Sequence, residues 1–126
     1  LCFPVYQFGK LKFIEGRLMK AISGKPKYNR KPHKAKVNDL LFPLDKIKNT
    51  NYVILVEGIF DMLNMWQLGY KNTLCIFGAT NFGSKKLEIL DRAELDSRNI
   101  VSRNIKLPVG VDPGDLNVIQ AKDYIR

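Results

Sequence analysis

Residues 52 to 69 hold the clearest change of period along the chain. Val53, Ile54, Leu55 and Val56 form an unbroken apolar run rich in β-branched residues. Such a run fits a strand buried on both faces, in a parallel sheet covered by helices. Glu57 and Gly58 end it. Ile59, Leu63 and Trp66 then recur at helical spacing, with Phe60, Met62 and Met65 beside them. Gly69 stands where a left-handed helix stop is wanted. A second unit follows. Thr73 to Phe77 reads as another buried strand, Gly78-Ala79-Thr80-Asn81 as a small-residue turn, and Ser84 as the cap of a helix through Leu87, Ile89 and Leu90. Two strand–turn–helix units in succession imply parallel strands with right-handed crossovers.

The flanks read differently. Leu1 to Ser23 predicts a β-hairpin, with Phe3, Val5 and Phe8 in one strand, Gly9-Lys10 at the turn, and Leu11 to Met19 in the other. Gly16, inside that second strand, marks a bulge or the close approach of another backbone. Leu40 to Ile47 predicts one or two helical turns around Leu41, Leu44 and Ile47. Asn99 to Leu107 alternates like a strand near a sheet edge, and Pro108 stops it. Asp112 as cap with Pro113 at the first helical position predicts a final helix, with Leu116, Ile119 and Ile125 inward.

Charge sharpens this picture. The chain has 126 residues, enough for one domain or two very small ones, and 45% hydrophobic residues, enough for a packed core. Its 21 Lys and Arg against 12 Asp and Glu leave a net charge of +9. That balance favours a polyanionic partner, nucleic acid ahead of membrane, because no basic amphipathic helix is evident. Six of the cations, Lys25, Lys27, Arg30, Lys31, Lys34 and Lys36, fall between Gly24 and Val37 with no acid among them. Pro26 and Pro32 argue for a loop there. Tyr28 is its one aromatic, able to stack on a base while the cations neutralise phosphates. A charge run is often only a solvated loop. Six cations without counter-charge, between two structured segments, favour phosphate binding.

Cys2 and Cys75 lie far apart, and Cys75, inside an apolar run, reads as buried and reduced. His33 is the only histidine, so no zinc ribbon can be built. No apolar stretch reaches membrane-spanning length and no signal peptide is seen, which implies an intracellular, cytoplasmic protein. The chain starts at Leu1 without a methionine and opens into a strand-like run, as a piece of a longer protein would.

Three places carry candidate chemistry. Glu57 lies at the carboxyl end of a strand, where ligands of open α/β sheets bind, and Asp61 lies in the next helical turn. Two acids there can hold a hard cation such as magnesium. From these residues alone, stabilisation of a helix N-terminus is the better account of both acids. The Gly78–Thr80 turn could offer N–H groups and a hydroxyl to a phosphate, although most such turns are only turns. Capping explains Asp112 and Asp115 without a metal.

Val56-Glu57-Gly58-Ile59-Phe60-Asp61 resembles the first motif of the Toprim domain, the metal-binding module of DnaG-type primases, topoisomerases and some nucleases. Gly16-Arg17 resembles the end of the amino-terminal hairpin of the primases. Pro26-Lys27-Tyr28-Asn29 is similar to their Pro-Lys-Tyr-Leu-Asn motif, one residue shorter. Leu40 to Leu44 looks like their Leu-Tyr-Gly-Leu stretch, Gly78 like their Gly-Thr turn, and Leu107-Pro108 with Asp112-Pro113 like their terminal motif. The likeness spans nearly the whole chain. Topoisomerases and Toprim nucleases lack its first part.

The resemblance implies a Toprim-type α/β fold: a parallel sheet flanked by helices, preceded by a small basic β-hairpin/loop subdomain. Residues 1–48 would form the basic subdomain and 49–126 the Toprim domain. It implies a primase core, making RNA primers from NTPs on single-stranded DNA. Glu57, Asp61 and Asp112 would be catalytic, and Glu57, Asp112 and Asp115 would hold magnesium or manganese. Arg17, Lys25, Lys27, Tyr28, Asn29, Arg30, Lys31, Lys34, Gly78 and Thr80 would bind template, nascent RNA or NTP. A replicative helicase, fused or separate, is the implied partner.

One departure stands out. The family has a further strand ending in Asp-x-Asp, and none appears between Asp91 and Arg98. About two dozen residues, a strand plus a helix, are expected to be missing between about 91 and 93. A natural deletion, leaving a crippled metal site, is the alternative. Gly114 also stands where many relatives have an acid. The other readings are a non-catalytic module that binds single-stranded nucleic acid, and a Toprim nuclease.

Overall fold

The computed structural model describes residues 1–47, 50, 52–78, 80, 82–92 and 105–125. Strands β1 (Cys2–Gln7), β2 (Lys10–Arg17) and β3 (Tyr28–Lys31) form an antiparallel sheet in that order. Alternation turns Val5 and Gln7 of β1, and Phe13 and Glu15 of β2, inward. The hairpin turns at Phe8-Gly9, one residue before the expected Gly9-Lys10, with φ of 50° and 72°. A two-residue hairpin loop of type I′ needs positive φ at both positions. Phe8 has no glycine's freedom, but the Asp45 carboxylate accepts its N–H at 2.7 Å and that of Gly9 at 2.8 Å, which holds the turn.

The basic run is not a loop throughout, as its prolines suggested. Tyr28–Lys31 is a strand, paired with Ile14–Arg17. Pro26 and Pro32 flank the strand instead of lying within it, so neither removes a ladder hydrogen bond. Gly16 owes its identity to a close backbone approach: a Cβ there would stand 3.3 Å from the Asn29 carbonyl oxygen. The irregularity of the hairpin ladder lies elsewhere, between Val5 and Tyr6.

Strands β4 (Ile54–Val56) and β5 (Thr73–Cys75) are parallel, joined through helix α1 (Ile59–Gln67). Gly69, at φ 99°, ends the helical segment in the left-handed region, as expected. Helix α1 buries Ile59, Met62 and Met65, whereas Leu63, expected inward, is exposed. Trp66 Nε1 donates to the Thr73 carbonyl at 2.9 Å and ties α1 to β5. Helix α2 (Ser84–Arg92) begins at Ser84 itself, and the Gly83 carbonyl accepts from Lys86 N. Leu90 is buried and Leu87 exposed.

Of two further expectations, the first holds and the second fails. Leu40–Ile47 holds a single 3-10 turn, Leu44–Lys46. The expected final helix is two elements: a 3-10 turn over Pro113–Asp115, then helix α3 (Val118–Tyr124). Leu116 is extended (φ −70°, ψ 139°) and breaks the helical path. Asn117 restarts it, accepting from Gln120 N at 3.0 Å while its own N–H donates to Gln120 Oε1 at 3.0 Å. Leu116 is buried as expected, but Ile119 is 73% exposed and Ala121 faces the core instead. Of the predicted edge strand, residues 99–104 lie outside the described residues, as does most of the segment around the expected deletion; residues 105–107 form no strand.

One cluster of buried side chains draws on both sides of residue 48: Val5, Phe13 and Leu40 with Val56, Ile59, Met62, Cys75 and Phe77. Phe13 and Phe77 meet edge to face, 5.3 Å between ring centroids. Among the described residues the architecture is α/β, a small parallel pair with three helices beside an antiparallel sheet. No helix among the described residues is long and apolar enough to cross a membrane.

Candidate functional site

Glu57 directly follows β4. Its carbonyl oxygen accepts from Gly78 N at 3.1 Å and from Cys75 Sγ at 3.3 Å, which fixes the backbone at the strand end. Burial pushes the Cys75 thiol up to about 12, so it stays protonated and can donate. The Glu57 side chain is exposed.

Asp61 sits one helical turn on and is held from two sides. Its Oδ2 accepts from Gly58 N at 3.2 Å and its Oδ1 from Gly114 N at 3.1 Å. Burial raises its pKa above the usual carboxylate value; the two N–H groups pull it back, and the charges of Asp112 and Glu57 add to the rise. Glu57 and Asp112 therefore each lie within electrostatic reach of Asp61, and among the described residues no cation pairs with these acids.

The turn carrying Asp112 and Asp115 is fastened to α1. Asn64 Nδ2 donates to the carbonyls of Pro113 at 2.9 Å and Leu116 at 3.0 Å. Gly114 explains its own lack of a side chain: a Cβ there would stand 2.8 Å from Asp61 Oδ1. The two acids of the turn then differ. Asp115 Oδ2 accepts from Asp112 N at 3.0 Å and closes the turn. Asp112 is exposed and makes no side-chain cap hydrogen bond. Capping, which the sequence offered as an account of both, accounts for Asp115 alone.

As a metal centre this edge is only partly formed. Its donors are carboxylate oxygens, the ligands of a hard dication, and their charge is uncompensated. Yet among the described residues no three His, Cys, Asp or Glu side chains come close enough together to hold a metal ion. The acids are of the kind a hard dication takes, but the described residues do not gather them into a metal site.

Beside it lies a basic cleft of about 250 Å³, lined by Arg17, Lys25, Pro26, Lys27 and Asn29 over Gly16. Arg17 joins the two regions. Its guanidinium lies 3.8 Å from the ring centroid of Phe60, the neighbour of Asp61, and its Nη1 donates to the Tyr28 hydroxyl at 2.8 Å. Phe3 supports Phe60 edge to face at 5.8 Å.

Other expected binding residues stand apart. Arg30 turns inward, pairing with Glu15 at 2.5 Å and lying over the rings of Phe13 and Phe77 at 5.7 and 5.6 Å. Lys31 meets His33 at 2.9 Å, and Lys34 is exposed away from the cleft lining. The Gly78 N–H is engaged by Glu57, and Thr80 is exposed.

The sequence reading missed Asn64, Phe60 as a platform for Arg17, and Lys86. Lys86 is buried, donates to the Ile76 carbonyl at 2.6 Å, and has its pKa lowered by burial. Glu15 carried a usable signal: it shares the inward phase of β2 with Phe13, and a buried acid needs a cation.

No protein-family model matches the chain, and no curated protein matches it by sequence. Among solved structures it is similar to a DNA primase domain from Pseudomonas aeruginosa, at a TM-score of 0.58 and 23% identity, over 73% of this chain and 30% of that one. The likeness is one of fold. The chain spans about three tenths of the length of that structure. Its α/β architecture therefore resembles part of that domain.

Proposed function

We propose that this chain is the catalytic core of a primase, a Toprim-type domain with its basic amino-terminal part, which joins ribonucleotides on single-stranded DNA. One observation carries the reading: an edge of uncompensated acids and a cation-lined cleft share Arg17 and Phe60 at their border. The likeness to a primase domain supports it. Lys25 and Lys27 hold phosphates, Tyr28 offers a ring to a base, and Arg17, backed by Phe60, faces the phosphate nearest the acids. Glu57 and Asp112 would hold magnesium or manganese, with further ligands from outside the described residues or from the nucleotide. A bound metal would supply polarisation of the primer hydroxyl and the triphosphate. A replicative helicase and a cytoplasmic setting belong to the same reading.

The test is ribonucleotide incorporation by the intact protein on single-stranded DNA, with magnesium and NTPs. Template-dependent primers support the proposal. Template binding without incorporation favours a non-catalytic nucleic-acid-binding module, a reading to which the incomplete acid cluster lends weight. Metal-dependent DNA cleavage without NTPs points to a nuclease.

A further inference from the structure

We infer that the depression at the turn end of the β1–β2 hairpin is a second phosphate-binding site, separate from the cleft at Arg17. Its geometry does not depend on the proposed function. The depression holds about 400 Å³, and Lys12, Lys36 and Arg92 line it together with Phe8, Asp39 and Leu40. The three cations come from three places: β2, the loop after β3, and the last residue of α2. Among the described residues none of the three is paired with an acid. The one acid of the lining, Asp39, is already met by Lys85 Nζ at 3.5 Å. Three cations beside one engaged acid leave a positive concavity, which draws in anions.

The fold places each of these cations. The hairpin ladder steps from Val5–Phe13 to Tyr6–Leu11, so Lys12 is the extra, unpaired residue of a β-bulge. A bulge bends its strand and re-aims a side chain. The Arg92 guanidinium lies 4.2 Å from the centroid of the Phe8 ring. That ring is itself held: Asp45 accepts the Phe8 N–H, and the ring packs with Ile89 against the buried cluster around Leu41. A guanidinium laid on a ring keeps its N–H edge for two oxygens of one phosphate. The loop that carries Lys36 is tied to β1 by the buried Gln7, which donates to the Asp39 carbonyl at 2.8 Å and accepts from Leu41 N at 2.9 Å. The ligand is therefore a phosphate group, carried by a free nucleotide or by a nucleic-acid strand. Arg17 is five residues from Lys12 along β2, about 17 Å at strand rise. About five phosphates of one strand, spaced 3.4 Å apart, cover that distance.

The test follows amide chemical shifts of the intact protein at low salt, titrated with ATP and, separately, with single-stranded oligothymidylate. The amides of Phe8, Lys36 and Leu40 should move and saturate. Movement with ATP assigns the site to a free nucleotide; movement with the oligonucleotide alone assigns it to a strand; either keeps the site. Lys12→Ala together with Lys36→Ala, both exposed, should raise the dissociation constant read at these amides about tenfold or more. Arg92→Lys keeps the charge and loses the fork, so it should also weaken binding. A diffuse positive surface would not tell arginine from lysine there, and unchanged affinity in that variant overturns the site. No saturable movement with either probe overturns it too. With Lys25→Ala and Lys27→Ala, which disable the cleft, the same amides should still move; their standing still would show that the depression binds nothing by itself. Primer synthesis is a separate readout. A chain that binds phosphate here and makes no primers keeps this inference and loses the proposed function, and one that makes primers while these amides stay fixed does the reverse.

Discussion

The acidic edge and the basic cleft treat charge in opposite ways. At the edge, Asp61 feels the like charges of Glu57 and Asp112, and backbone N–H groups are what hold it. Near the cleft, Arg30 is neutralised by Glu15 and lies over two rings, whereas Arg17, in the cleft lining, is held by the Phe60 ring and the Tyr28 hydroxyl, neither of which neutralises its charge. Buried or half-buried charge is costly without a partner. The difference separates residues that build the fold from residues that await a ligand. Under the proposed function the exposed Lys25 and Lys27 would meet an anion, and the exposed Glu57 and Asp112 a cation. Arg30, which looked like one more phosphate ligand in the run of six, is the half-buried partner of the buried Glu15.

The largest expected effect is at Asp112. Asp112→Asn removes the charge and keeps the shape, and should lower primer synthesis on the order of a thousandfold. Because its side chain caps nothing, even Asp112→Ala should cost less than about 0.5 kcal/mol in a thermal melt, below the usual loss of a helix cap. A stability loss of the full cap size would return Asp112 to a structural role.

Next in size is the contrast between cations. Arg30→Ala leaves Glu15 buried and unpaired and should destabilise the fold by about 3 kcal/mol, the low end for a buried pair, because Arg30 keeps 32% of its side chain exposed. Its salt dependence of DNA binding should match the parent. Lys25→Ala with Lys27→Ala should do the reverse, lowering the log–log salt slope by about two units with little change in stability. An Arg30 variant that is stable and has a reduced slope would erase the distinction.

The smallest effect concerns Lys86. Its folded pKa is lowered from the ordinary 10.5, first by burial, so between that lowered value and 10.5 the unfolded chain binds the proton that the folded chain has released. Stability from this group therefore rises with pH through that window and is complete above 10.5. Lys86→Met should remove this rise. A melting-temperature difference between parent and variant that is flat with pH would contradict it.

The strand–turn–helix around Glu57 was legible because it is local: an apolar run, a glycine and a helical period lie within eighteen residues. The parallel pair and the left-handed stop at Gly69 followed for the same reason. What escaped is long-range. Arg30 meets Glu15 across a ladder fifteen residues away, and that pairing made the basic segment a strand. Asn64 reaches a turn about fifty residues on. The final helix was misplaced because Asp112-Pro113 and Asn117 both read as helix starts, and only the extended backbone at Leu116 separates them.

The most direct test of the account is Glu57→Gln, measured for two properties in the same preparation. The account predicts single-stranded DNA binding with the parent's affinity and salt slope, because Glu57 lies outside the cleft. It predicts that template-dependent primer synthesis falls below detection. Primer synthesis at the parent's rate would contradict the catalytic reading and leave Glu57 as the residue that ends a strand.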